Sequence, residues 1–268
     1  THRDFPQERF FGIGQNSRKE DQTSFRLEDT NYVARFGFKP AKHVKAGLLA
    51  GFLKTNVGSG TYSASPSIEQ VFGPAEAPAL ANQPSYFQKG AFFEADYRDQ
   101  PGNPRSGGRY AVAWTSFQDL KLEQYDFRQY DIEANHYFPF FNRRRVIAVR
   151  AKSTFTQTAS GQEVPFFLQP TLGGSEDLRG YRDYRFRDRN MVVFNAEYRW
   201  EAFSGLDLAL FGDAGQVASR PSDLRFGDFQ KSYGVGFRFN SEKSVFLRMD
   251  LGFSKEGQHL FVKFGHVF

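Results

Sequence analysis

The stretch LGGSEDLRGYRDYRFRDRN, Leu172 to Asn190, carries five arginines between two segments that read as apolar strands. A guanidinium keeps its charge at any physiological pH, and its planar fork matches pairs of carboxylate or phosphate oxygens. The chemistry on offer is therefore ion pairing rather than bond making. Other reactive groups do not assemble into sets. The five histidines, His2, His43, His136, His259 and His266, show no H-x-x-H spacing and no carboxylate cluster, so no metal site is expected. His136 alternates onto an apolar face near a short turn, where a lipid-hydrolysing base would sit, yet no serine stands beside it. GIGQNS fits neither a phosphate loop nor a dinucleotide fingerprint, and there are 0 cysteines for disulfides or thiolate ligands. No catalytic residue and no cofactor are expected.

The elements that must hold these arginines are strands. The 268 residues include 32 phenylalanines, and 17% of the chain is aromatic while 24% is charged. No run approaches the ~20 consecutive apolar residues of a spanning helix. So many rings exceed what one soluble core can hide, whereas a barrel in lipid turns them outward and keeps polar residues inside. A soluble sandwich or lipocalin-like barrel is the competing architecture. The net charge of +5 is mild and dispersed among carboxylates, which argues against a nucleic-acid partner.

Period-two alternation supports the barrel. In SVFLRMDLGFS, Val245, Leu247, Met249, Leu251 and Phe253 share one face, and Phe246, Arg248, Asp250, Gly252 and Ser254 the other. Leu206, Leu208 and Leu210 oppose Asp207 and Asp213, while Val192, Phe194, Ala196, Tyr198 and Trp200 oppose Asn195, Glu197 and Arg199. Glu197 and Asp213 thus fall on polar faces of successive strands. Alternation recurs back to Tyr32, predicting eleven strands and a short twelfth around Phe10 to Ile13. Short turns at KPAK, FNRR, FSG and NSEK alternate with longer connections at Asn56–Pro84, Gln118–Gln124, Pro165–Asn190 and Arg220–Gln230. That rhythm is the one of short periplasmic turns and long external loops. The piece from Val57 to Pro84, rich in Gly, Ser, Ala and Pro, reads as a mobile external loop. The expected fold is all-β, a single antiparallel transmembrane β-barrel over residues 1–268 with a long loop, 165–190, folded into the lumen.

Two resemblances follow. LGGSEDLRGYRDYRFRD resembles the inserted-loop motif of the bacterial surface-antigen superfamily of outer-membrane assembly and translocation barrels, the BamA and TamA type. Its Arg-Gly-aromatic triplet is Arg179, Gly180 and Tyr181, with Leu178 where valine is common. AEYRW, with Glu197, and LFGDAGQV, with Asp213, resemble further family elements, as does RFFGIGQNS from Arg9 to Ser17. The resemblance implies that Arg179 docks inside the lumen and bridges Glu197 and Asp213, with Gly180 passing close to the wall and Tyr181 packed beside it. Arg182, Arg185, Arg187 and Arg189 are expected to stay solvated, pairing with Asp183 and Asp188 or touching lipid phosphates. The second resemblance lies in HLFVKFGHVF, where Leu260, Val262, Phe264, His266 and Phe268 are expected on one face. Its aromatic end resembles the C-terminal signal by which bacterial outer-membrane proteins reach their assembly machine, with His266 in the interfacial belt.

The family implies a bacterial outer membrane, or that of a bacterially derived organelle, as the location. It implies outer-membrane lipids and unfolded outer-membrane or secreted polypeptides as partners, and allows a homo-oligomer. The implied activity is insertion of outer-membrane proteins or polypeptide translocation, with the segment His259 to Phe268 as one side of a seam. A passive pore, or a barrel that anchors or exports an attached soluble domain, are the alternatives. Family barrels have about sixteen strands after periplasmic POTRA domains. No POTRA domain is expected within this chain, and its twelve strands read as a short barrel or as part of a sixteen-stranded one.

Overall fold

The computed structural model describes residues 1–241, 244–266 and 268. Its strands are β1 (His2–Phe10), β2 (Thr23–Ala41), β3 (Val44–Ser59), β4 (Ser85–Asp96), β5 (Gly107–Asp119), β6 (Phe127–Phe140), β7 (Arg145–Gln157), β8 (Thr171–Leu172), β9 (Phe186–Arg187), β10 (Asn190–Phe203), β11 (Leu206–Ala218), β12 (Gln230–Asn240), β13 (Val245–Ser254) and β14 (Gly257–Lys263). Twelve of them form one antiparallel meander in chain order, and β8 pairs with β9 separately inside the connection between β7 and β10. β10 pairs with β7 without a break from Asn190 to Trp200. That continuity gives the polar face of β10 a rigid backbone.

The two faces of the sheet invert the usual arrangement of a protein. On β11, Leu210 is 57% exposed and Asp207 1% exposed. On β12, Tyr233, Val235 and Phe237 are exposed, while Ser232 and Arg238 are buried. Apolar surface outside and charge inside is the arrangement that lipid as a solvent selects. The fold is an all-β, antiparallel transmembrane barrel wall, with the Arg-rich connection on its inner side.

The details correct several expectations. The first strand is His2–Phe10, not a stub starting at Phe10; its sequence is mostly polar and holds Pro6, and its register with β2 shifts between Phe5 and Glu8, so no alternation betrays it. On β13 the pairing with β12 slips between Phe239 and Asn240. Val245 is consequently buried while Phe246, expected on the polar face, is 53% exposed and near Phe239. Glu242 and Lys243 of the NSEK turn lie outside the described residues. The Val57–Pro84 piece is packed rather than mobile: Ile68, Ala77 and Ala79 join Phe10, Phe25, Tyr86, Phe127 and Phe166 in a core that caps the external end. Six apolar side chains of that piece, with Val57, Phe72 and Leu80 among them, outweigh its turn-forming composition.

The last strand also departs from simple alternation. β14 ends at Lys263, and Gly265, at φ +90°, turns the chain inward. Phe264 is 88% exposed, whereas Phe268 is 5% exposed and packs on Tyr137, Val146 and Ala148. The expectation of Phe264, His266 and Phe268 on one face is therefore corrected; Val267 lies outside the described residues. Tyr137 is on β6 and Val146 on β7, so a segment following β14 reaches the middle of the sheet across the lumen, and the sheet must be curled. Among the described residues no ladder joins β1 to β14.

The orientation of the faces is directly testable. The chain has 2 tryptophans, and both Trp114 on β5 and Trp200 on β10 lie on the outward face, Trp200 at 43% exposure. Lipids with brominated acyl chains should quench the fluorescence of both in proteoliposomes. Fluorescence indifferent to the brominated lipid would overturn the assignment of faces.

Candidate functional site

The long connection enters the lumen through β8 and returns through β9, and its turn presents Leu178 to Tyr181 to the inner wall. Leu178 and Tyr181 are buried with Leu172, Phe186, Met191, Val193 and Val217, an apolar base from which the polar tip projects. The Tyr181 hydroxyl donates to Gln230 Oε1 at 3.1 Å. Backbone meets backbone at the wall: a Cβ on Gly180 would lie 2.6 Å from the Phe253 carbonyl oxygen, and one on Gly252 would overlap the Arg179 carbonyl oxygen. Only glycines on both sides permit that approach.

Arg179 then meets its acids without slack. Its Nε and Nη2 donate to Asp213 Oδ2 and Oδ1 at 3.0 and 2.7 Å, and Nη1 donates to Glu197 Oε2 at 2.6 Å. Its backbone N–H donates to Asp213 Oδ2 at 3.1 Å, and the guanidinium stacks 3.5 Å from the centre of the Phe211 ring. Asp213 also accepts from Asn195 Nδ2 at 2.8 Å and Ser232 Oγ at 3.1 Å. Glu197 accepts from Arg199 Nε at 2.8 Å and Arg238 Nη2 at 2.9 Å. Arg179 is 0% exposed. Burial works against its charge, but the carboxylates of Asp213 and Glu197 outweigh it and raise its pKa above the ordinary arginine value.

Alternation alone does not reveal how far this network extends. Arg238 lies 2.7 Å from Asp250, and Arg248 Nη2 donates to Glu176 Oε1 at 2.9 Å. Arg150 Nη1 donates to the Glu176 carbonyl at 2.8 Å, and Asn195 Nδ2 to the Asp177 carbonyl at 2.7 Å. Four consecutive residues, Glu176 to Arg179, thus tie together β7, β10, β11 and β13. The polar parity of Arg238, Arg248 and Asp250 is readable in the sequence, but their convergence on one loop tip is not.

Two of the remaining arginines correct the expectation of a solvated loop. Arg185 is 2% exposed between the rings of Phe11 and Phe186, and Arg187 is 5% exposed among Phe10, Phe25 and Phe166. Arg187 Nη1 donates to the Phe166 carbonyl at 2.6 Å, and burial pushes its pKa down to about 10. Cation–π contact with surrounding rings holds these groups where water was expected. Arg182 is half-buried, donating to Gln22 Oε1 at 2.5 Å. His136 faces outward and shares a 2.8 Å hydrogen bond with the Tyr110 hydroxyl. His266 is half-buried beside the Phe268 carbonyl rather than in an interfacial belt; burial, then the nearby Arg199 cation, lowers its pKa. Among the described residues no group of three potential ligands could hold a metal.

The arrangement predicts a specific loss in Arg179→Lys. Lysine keeps the charge but cannot serve Glu197 and Asp213 together, so unfolding free energy should fall by roughly 2 kcal/mol. The urea midpoint of the folded, heat-modifiable form reads this, and an unchanged midpoint would contradict the bridging geometry.

Comparison with known proteins agrees with this fold. The Omp85 superfamily domain matches residues 7–264. No curated protein matches the sequence. Among solved structures, BamA from Haemophilus ducreyi lacking POTRA domains 1–3 superposes with a TM-score of 0.63 at 15% identity, over 95% of this chain and 56% of that chain. CdiB from Escherichia coli gives a TM-score of 0.60 at 14% identity, over 90% of this chain and 45% of that one. The chain spans about half the length of these solved chains. With an inward-folded loop, a lipid-facing apolar surface and a family match over nearly all its length, this chain belongs to the Omp85 superfamily of outer-membrane β-barrels.

Proposed function

We propose that this barrel handles polypeptides, inserting them into the outer membrane or passing them across it. Its substrates on this reading are unfolded outer-membrane or secreted chains, and its surroundings are outer-membrane lipids. One observation carries the reading: the loop tip braces the β10–β13 wall through Arg179, while among the described residues no ladder joins β1 to β14. Unpaired strand edges are costly in lipid and are templates for adding a strand. A rigid wall running up to one of these edges keeps its shape while the edges separate and rejoin. Arg179, Glu197 and Asp213 act here as positioning residues, with Leu178, Gly180 and Tyr181 seating the loop. No step of this work needs bond making by the protein, and we read the chain as non-enzymatic.

A passive pore is favoured by one feature of the lumen. Ion pairs run along the wall from Lys45 to Glu94 (3.4 Å), Glu94 to Arg109 (2.7 Å), Arg109 to Glu133 (3.1 Å) and Glu133 to Arg150 (2.8 Å). Such a wetted, charged surface suits ion passage.

Proteoliposomes holding the full chain separate the two readings. Insertion of an unfolded test barrel should be catalysed by the wild type and fall about tenfold in Arg179→Ala, the effect of roughly 1.4 kcal/mol on a rate. Ion conductance with no effect of either protein on client insertion would overturn the proposal in favour of the pore.

A further inference from the structure

Among the described residues no ladder joins the two ends of the sheet, yet they are linked at the external mouth. The β1–β2 connection, residues 11–22, docks on the returning arm of the lumen loop: Gly14 N–H donates to the Arg187 carbonyl at 2.7 Å. The end of β13 docks on the same loop at its tip, where Ser254 Oγ donates to the Gly180 carbonyl at 2.6 Å. Arg185 stands between the two. Its Nε donates to Glu256 Oε1 and Oε2 at 3.0 and 2.9 Å, Nη1 to Ser17 Oγ at 2.9 Å, and Nη2 to the Ser17 carbonyl at 2.7 Å. Lys19 Nζ adds a direct crossing, donating to the Glu256 carbonyl at 3.0 Å.

We infer that Arg185 and Glu256 form a latch that closes the external end of the gap between β1 and β14 and leaves the gap free to part from the periplasmic end. The latch has the attributes of a designed contact. Arg185 is held between the Phe11 and Phe186 rings, at 5.1 and 4.5 Å, so its fork is fixed before Glu256 arrives. Glu256 is supplied by a two-residue turn and is only partly buried, so it can leave without disturbing a core. At the opposite end β14 stops at Lys263 and the following residues turn into the lumen, so nothing comparable secures the periplasmic side among the described residues. The inserted loop thereby gains a second role: its tip braces the β10–β13 wall beside β14 and its returning arm holds the gap shut at one end. The direction of opening assigned here rests on the polypeptide-handling reading, whereas the latch itself does not.

Spin labels test the latch without any client. The chain has 0 cysteines, so Arg18→Cys and Lys255→Cys, both exposed and on opposite sides of the gap, accept labels with no background. Pulsed dipolar spectroscopy on the full chain in nanodiscs should give a single narrow distance distribution. Arg185→Ala and Glu256→Ala should each shift it to a broader and longer one, and the double variant should widen it no further than the singles. Should Arg185→Ala fail to fold, Glu256→Ala on the turn gives the same reading. An unchanged distribution in folded variants would sink the latch whatever the insertion assay shows. A widened gap accompanied by a several-fold change in client insertion supports both readings; a widened gap in a protein that inserts no client keeps the latch and removes the polypeptide-handling function.

Discussion

A guanidinium buried between two carboxylates, inside a cylinder that is itself surrounded by lipid, constrains everything around it. Arg179 is 0% exposed, and a charge taken that far from water is tolerated only where its partners are close, correctly angled and themselves satisfied. Asp213 meets three donors besides the Arg179 side chain, counting the Arg179 backbone N–H, Asn195 and Ser232. Glu197 is shared with Arg199 and Arg238. None of these groups can move far without stranding another. The loop tip is consequently part of the wall, and β10, β11 and β13 cannot shear past one another while it is seated.

The same constraint explains the location of charge throughout the molecule. In a soluble domain the inner face of a sheet would be aliphatic, and Arg238, Arg248 and Asp250 would be outside. Lipid reverses the demand, and the lumen becomes a polar core held by directional bonds rather than by apolar burial. Directional bonds need exact partners, so the lumen acquires specificity that an oily core would lack. At the external end, where the barrel emerges from lipid, an ordinary aromatic core returns around Phe10, Ile68, Tyr86 and Phe166. Arg187 sits where the two regimes meet, a cation held by rings and one carbonyl.

Much of this is legible in the residue order, for a physical reason. Parity is a local property, so the placement of Glu197 and Asp213 on inner faces follows from alternation over a few neighbours, and the long connection between β7 and β10 stands out by length and composition. Properties that depend on distant partners are not legible. Arg185 meets Glu256, 71 positions away, and nothing near either residue marks the pair. β1 is hidden because Pro6 and a register shift erase its period, and the exchange of Val245 and Phe246 follows from a single extra residue in a ladder. The inward turn after β14 depends on one glycine, Gly265, whose effect is visible only in its backbone angle. The packed state of the Val57–Pro84 piece was obscured because its composition speaks of turns, while its few large apolar side chains find partners on other loops.

The account stands on the coupling between Arg179 and Asp213. A double-mutant cycle of Arg179→Ala and Asp213→Ala, read by equilibrium unfolding in lipid vesicles, isolates that term from the general cost of truncation. The predicted outcome is a coupling free energy of at least about 2 kcal/mol, with the double variant far less damaged than the sum of the singles. Strict additivity would show that the two groups do not depend on each other, and the seated loop would then have to be held by something else.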